Sequence, residues 1–98
     1  MRLLLVLTEQ EALPAFERGL LERGERGFTI APRVYGRGRS GLRAGNRAHP
    51  GASSMLFTVV PETEVGDTLR LLRDLRDRAG AREQTKIYSL PAEEADEG

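Results

Sequence analysis

The chain of 98 residues carries 15 basic and 15 acidic side chains, one histidine and no cysteine, so its formal net charge is zero. A chain this evenly balanced is neither a polybasic coat for nucleic acid nor an acidic disordered segment. Without cysteine it has no disulfide framework and no thiolate nucleophile, which fits a reducing cytoplasm. Its 39% of hydrophobic residues predicts one folded domain.

The neutral total is the sum of two oppositely biased parts. Residues 1–50 hold nine arginines and five glutamates, whereas residues 51–98 hold six basic and ten acidic side chains. Five arginines follow one another with no acid between them, and they are Arg33, Arg37, Arg39, Arg43 and Arg47. Acidic residues crowd the end of the chain, and we expect residues 93–98 to form a frayed tail.

The chain opens with a strand and a helix. Leu3 to Leu7 is an unbroken apolar run, typical of an interior strand and too short for a secretory signal or a membrane span. Apolar residues then recur at helical spacing up to Leu20. Pro14 is tolerated only in a first turn, so the helix is predicted to begin near Leu13 and to end at Gly24.

A second strand and a long loop come next. Phe28 to Val34 contains residues that favour extended structure, and Pro32 places this strand at a sheet edge or a bulge. Periodicity is lost beyond it, and a loop over about residues 36–54 is long for a compact domain. Loops of this length often bind partners or ligands.

The rest of the chain predicts a strand, a helix and a strand. Met55 to Val60 is the strand, and Val65 to Ala79 has helical periodicity ending at Gly80. On the exposed side of this helix, Asp74 is spaced to pair with both Arg70 and Arg78. The last strand runs from Ile87 to Leu90.

This order of elements predicts an α+β fold of the ferredoxin-like βαββαβ type. In that fold a four-stranded antiparallel sheet carries both helices on one face. We assign residues 1–92 to this single domain. The second face of the sheet has no covering layer, so we expect the chain to form homo-oligomers.

No catalytic constellation is visible in the sequence. His49 is the only histidine and has no acidic residue within a dozen positions on either side, so neither a metal site nor a nucleophile with its base can be assembled locally. The serines at 40, 53 and 54 lack the sharp strand-to-helix context of a nucleophile elbow. We therefore expect that the protein is not an enzyme and holds no metal.

The segment from Gly36 to Gly41 combines three glycines with two arginines. Glycines let main-chain amides approach an anion closely, and arginine offers a fixed fork of donors to phosphate or carboxylate. The segment leads into a strand, unlike the dinucleotide and P-loop fingerprints, which open a helix. Two interpretations stay open at this point, an anion-binding loop and an arginine-rich hairpin tip.

Several segments together resemble the P-II signalling protein family. They are Gly27-Phe28-Thr29-Ile30, the turn Gly36-Arg37-Gly38-Arg39, the strand end Val59-Val60-Pro61, and Lys86-Ile87-Tyr88 followed by Pro91 and Glu93. The resemblance covers about residues 1 to 94. It implies a cytoplasmic homotrimer that senses a small anionic metabolite, such as ADP, AMP or ATP, in the clefts between subunits. It also implies that the long loop regulates a target transporter or enzyme.

Carried over residue by residue, the resemblance implies two sets of site residues. The ligand-binding set is Thr29, Ile30, Gly36, Gly38, Arg39, Ser40, Val60 and Lys86. The partner-binding loop contains Arg37, Arg43, Arg47 and His49.

The chain departs from the family pattern in three places. Arg82 to Thr85 stands where the family has Gly-Asp-Gly, whose amides hold phosphates. Ser40 replaces a glutamine used for metal and 2-oxoglutarate, and Glu94 to Gly98 replaces an Arg-x-Arg segment. These departures weigh against tight ATP binding.

Two alternatives belong to other classes. The chain is a ligand-free trimeric interaction module if the departures have abolished binding. It is an RNA-binding ferredoxin-like domain if the arginines of the loop neutralise phosphates. Zero net charge and the lack of a recognised aromatic stacking motif argue against the second, so no nucleic acid partner is expected.

Overall fold

The computed structural model describes residues 1–23, 27–34, 37–38, 41–42 and 53–96 and has the predicted α+β architecture. The elements in chain order are β1 (Arg2–Glu9), α1 (Leu13–Glu22), β2 (Thr29–Val34), β3 (Arg37–Gly38), β4 (Gly41–Leu42), β5 (Ser53–Val60), α2 (Val65–Arg78) and β6 (Lys86–Pro91). A single 3-10 turn precedes each helix, at Gln10–Ala12 and at Glu62–Glu64.

Four strands form one antiparallel sheet in the order β2, β5, β1, β6. The apolar run of β1 is therefore an interior strand, and β2 is an edge strand, as predicted. Three strands are longer than the sequence indicates, because β1 continues to Glu9, β5 begins at Ser53, and β6 runs from Lys86 to Pro91. The strand β2 begins at Thr29, one residue later than predicted. Val34 of β2 pairs with Ser53 of β5, so residues 35–52 form the segment between these two strands. This segment is slightly shorter than the loop predicted at about residues 36–54.

Both helices pack on one face of the sheet and enclose the core. Side chains alternate between the two faces of a strand, so only every second residue of β1 and β5 reaches this core. The largest fully buried apolar side chains are Phe16, Leu4, Leu20, Leu56, Leu72 and Val6. This is the ferredoxin-like arrangement.

Glycine and proline define the helices much as expected. Pro14 lies in the first turn of α1, and Gly80 follows α2 with a φ of +66°, the left-handed conformation of a C-terminal cap. The predicted end of α1 at Gly24 lies outside the described residues. Gly19 lets the helices approach closely, since a Cβ added there would overlap the side chain of Leu75.

The edge strand β2 contains the bulge that Pro32 predicts. The pairing shifts between Ala31, opposite Met55, and Val34, opposite Ser53. Three steps along β2 therefore match two steps along β5, which leaves one extra residue in the edge strand. Proline has no N–H to donate to a neighbouring strand, so interrupting the ladder at Pro32 sacrifices few main-chain hydrogen bonds.

Some surface features differ from the expectation. Arg78 pairs with Asp74 at 3.1 Å as predicted, but Arg70 pairs with Asp67 at 3.1 Å and not with Asp74. Residues 93–96 of the acidic tail are exposed. Among the described helices, neither has the length and apolar character needed to cross a bilayer.

Candidate functional site

The sheet face that carries no helix is apolar, and we call it the open face. Leu5 lies in its middle, between Phe57 on β5 and Tyr88 on β6. Three of its large hydrophobic side chains, those of Val59, Tyr88 and Leu90, are more than two fifths exposed. The described side chains on this face are Thr29, Ala31, Val34, Leu3, Leu5, Leu7, Glu9, Ser53, Met55, Phe57, Val59, Lys86, Tyr88 and Leu90. A contiguous exposed apolar patch of this kind marks a contact surface.

Thr29 and Lys86, two of the predicted ligand residues, point to the open face from opposite edges of the sheet. Thr29 is opposite Phe57, and Lys86 is opposite Leu7. Strands β5 and β1 lie between them, so three strand spacings place the two backbones at least about 14 Å apart. Both side chains are exposed. One subunit therefore does not bring these two residues together around a small ligand.

Two other predicted ligand residues direct their side chains toward the helices. Ile30 packs against the core, and Val60 is 4% exposed within it. Val60 is opposite Arg2, at the far end of β1 from the partner of Lys86. The side chain of Val60 thus lies on the opposite face of the sheet from that of Lys86 and near the other end of β1. A ligand beside Lys86 could contact Val60 only through the backbone of Val60.

The glycine-rich segment forms a small ladder. Arg37 is opposite Leu42, and Gly38 is opposite Gly41, which makes β3 and β4 a two-stranded ribbon. These pairs form a hairpin, which is compatible with both interpretations of this segment. The predicted residues Gly36, Arg39, Ser40, Arg43, Arg47 and His49 lie outside the described residues and stay predictions.

The turn before Lys86 is anchored to the protein interior. The hydroxyl group of Thr85 is 2.8 Å from that of Thr8, and both residues are buried. The Oε1 atom of Gln84 is also buried and has no hydrogen-bond partner among the described residues. Arg82 turns toward Asp77 on α2, with 3.9 Å between its Nη1 and the carboxylate. Of the residues that replace Gly-Asp-Gly, Thr85 is therefore tied to the interior and Arg82 is directed to α2.

Hydroxyl groups on β5 hold the edge strand, and the sequence reasoning missed them. Ser54 Oγ donates to the carbonyl oxygen of Pro32 at 2.9 Å, and Thr58 Oγ1 donates to that of Gly27. Both donors are buried on the helix side of the sheet. The sequence signal was their spacing. Ser54, Leu56, Thr58 and Val60 occur at every second position, so all four lie on one face of a strand.

A small charged cluster closes α2. Asp77 accepts a hydrogen bond from Arg76 Nε at 3.0 Å, and this bond, reinforced by the charges of Arg76 and Arg82, holds the pKa of the Asp77 carboxyl below its ordinary value. Within the described ranges, no three acidic, histidine or cysteine side chains lie together as metal ligands do.

Comparison with known proteins identifies the family. The family model of the nitrogen regulatory protein P-II matches residues 1–97. Among solved structures, that of Arabidopsis thaliana PII bound to citrate has a TM-score of 0.69 and 21% identity, covering 93% of this chain and 76% of that one. No curated protein sequence matches. The strand order, the position of both helices on one face and the match over nearly the whole chain lead to one conclusion: this chain belongs to the P-II family.

Proposed function

We propose that the chain is a non-enzymatic, cytoplasmic P-II-type regulator. It forms a homotrimer, binds a small anionic metabolite in the clefts between subunits, and acts on a target transporter or metabolic enzyme through the segment 35–52 between β2 and β5. The P-II family consists of regulatory proteins that are trimeric and bind small ligands and targets, which supports the regulatory role, the trimer, the ligand and the target in this proposal.

One observation carries the proposal, the placement of Thr29 and Lys86 on opposite edges of one face. A cyclic trimer joins different patches of successive subunits, so one edge of each sheet meets a different edge of the next. The β2 edge of one copy beside the β6 edge of its neighbour brings a threonine and a lysine to the same cleft. The apolar open face supplies the area that such an assembly buries.

The ligand class follows from the charge of this cleft. Lys86 is exposed, and Arg39 together with the amides near Gly36 and Gly38 completes the anion site on the family pattern. The glycine-free turn from Arg82 to Thr85 removes a phosphate cradle, which favours ADP or AMP over ATP. The citrate in the structure of the Arabidopsis protein makes a tricarboxylate a second ligand to examine.

Two measurements test this function. Sedimentation velocity across a range of concentrations gives the mass of the assembly, and calorimetry with ADP, AMP, ATP, citrate and 2-oxoglutarate gives the ligand. A monomer at micromolar concentration overturns the proposal. If the protein is a trimer that binds none of the five anions, the ligand-free interaction module is the function that remains. The inward orientation of Thr85 favours that alternative.

The RNA-binding alternative gains one structural observation. Phe57 and Tyr88 lie on the same face, on either side of Leu5 and therefore about 10 Å apart. Aromatic side chains on an open sheet face are how ferredoxin-like domains stack bases. Retention of labelled RNA on a filter at low and high salt decides between this use of the face and its burial between subunits.

A further inference from the structure

The two ends of the segment 35–52 are joined where β2 meets β5. Val34 and Ser53 form the last pair of that ladder. The bulge lies directly before Val34, so main-chain pairing is interrupted where the segment leaves the sheet. Main-chain pairing therefore constrains the position of Val34 relative to β5 less than it would in a regular pair of strands.

A side chain compensates for this interruption. Ser54 is fully buried, and its Oγ donates to the carbonyl oxygen of Pro32 at 2.9 Å across 22 positions of the sequence. Ser54 faces the helices, because it is opposite the buried Thr8. The carbonyl of Pro32 thus turns out of the plane of the sheet, toward the helix side, and there it meets the hydroxyl group.

The opposite end of β2 has a second hydroxyl tie. Thr58 lies four positions after Ser54 on the same face of β5, and its Oγ1 donates to the carbonyl oxygen of Gly27. The edge strand is therefore held to β5 at both ends by side chains and between them by the pairs of Thr29, Ile30 and Ala31.

We propose that Ser54 is a positioning residue, whose hydroxyl group holds the bulged part of β2 on β5 and so fixes where the segment 35–52 leaves the sheet. Thr58 holds the opposite end of β2 on β5 in the same way, but it does not affect where the segment 35–52 leaves the sheet. This inference goes beyond the proposed function and does not depend on it, since it concerns the neck of the segment and not a ligand or a trimer.

Residue-resolved amide exchange of the full chain tests the proposal. Ser54→Ala leaves the Pro32 carbonyl without its donor, and we expect exchange at Ala31, Val34 and Ser53 to become roughly tenfold faster. The ladder between β1 and β6 serves as the internal reference and should change less than twofold, roughly, because it shares no hydrogen bond with Ser54.

Two matched variants make the outcome decisive. Ser53→Ala removes the neighbouring hydroxyl group, which points to the open face, and should leave the exchange pattern unchanged. Thr58→Val, nearly isosteric, should accelerate exchange at Thr29 but not at Val34. The proposal is overturned if Ser54→Ala behaves like Ser53→Ala, if it accelerates the β1–β6 ladder by the same factor, or if Thr58→Val frees Val34 equally.

Discussion

The hydroxyl oxygens of Thr8 and Thr85 lie 2.8 Å apart in the interior, although 77 positions separate them in the sequence. Thr8 is near the end of β1, and Thr85 directly precedes the exposed Lys86. This hydrogen bond therefore sets the position at which β6 begins, and with it the position of the lysine proposed to bind the ligand.

We predict that the two threonines are energetically coupled. Either Thr8→Val or Thr85→Val leaves one buried hydroxyl without its partner and should cost about 1–2 kcal/mol in the free energy of unfolding. The double variant removes both groups while keeping their shape, and it should cost clearly less than the sum of the two. Urea unfolding of the four proteins measures this cycle, and additive costs would show that the hydroxyls do not interact.

Gly19→Ala should destabilise the protein by about 1–3 kcal/mol. The new methyl group would overlap the side chain of Leu75, which is buried and cannot move away freely. Gly66→Ala is the matched control, because nothing lies within 4 Å of a Cβ there. The control should stabilise by up to about 1 kcal/mol through helix propensity. A melting temperature that rises in both variants contradicts the close helix contact.

Tyr88→Asp should shift the assembly toward monomers, since it places a charge on the open face. Leu21→Asp is the control on the other side of the molecule, because Leu21 on α1 is 61% exposed, against 48% for Tyr88. Sedimentation velocity at matched concentrations compares the two. Equal masses for both variants would mean that the open face is not the contact between subunits.

Lys86→Ala should weaken binding of the anionic ligand by tenfold or more, a loss of about 1.4 kcal/mol. Arg82→Ala removes a nearby positive charge that is directed to Asp77 instead, so it should change affinity much less. Calorimetry with ADP, run on proteins of equal assembly mass, separates the two effects. Equal losses would indicate general electrostatic attraction and no specific role for Lys86.

The lowered pKa of Asp77 predicts a small pH dependence of stability. A carboxyl whose pKa is lower in the folded than in the unfolded state stabilises the fold above its unfolded pKa, which is about 3.9. This contribution disappears as pH falls through the folded value. Asp77→Asn should therefore melt slightly below the unmodified protein at pH 7, and the gap should close below about pH 4. A gap that is constant with pH would exclude the ionic contribution.

Local signals in the sequence predicted the fold well. The period of the apolar residues gave the strands and helices, Pro32 indicated the edge and its bulge, and Gly80 indicated the end of α2. Each of these signals acts within a few residues. The fold class follows from the order of the predicted strands and helices, because few topologies are compatible with that order.

Features that depend on strand order or on side-chain choice were harder to foresee. Thr29 and Lys86 were assigned to a cleft between subunits, and their place on opposite edges of one sheet, which follows from the order β2, β5, β1, β6, was not foreseen. Arg70 had acidic neighbours at suitable spacing on both sides, and sequence spacing does not choose between them. The tie between Ser54 and Pro32 joins residues that are distant in the chain, where periodicity carries no information.

The strand β1 is apolar on both of its faces, with Leu4 and Val6 in the core and the leucines at 3, 5 and 7 on the open face. A shift of this strand by one residue would exchange the two faces with little change in buried hydrocarbon. Hydrophobicity alone therefore gives weak protection against misalignment. The hydrogen bonds of Thr8 with Thr85 and of Arg2 with Ser89, one near each end of the strand, are satisfied in only one alignment and so select the native register.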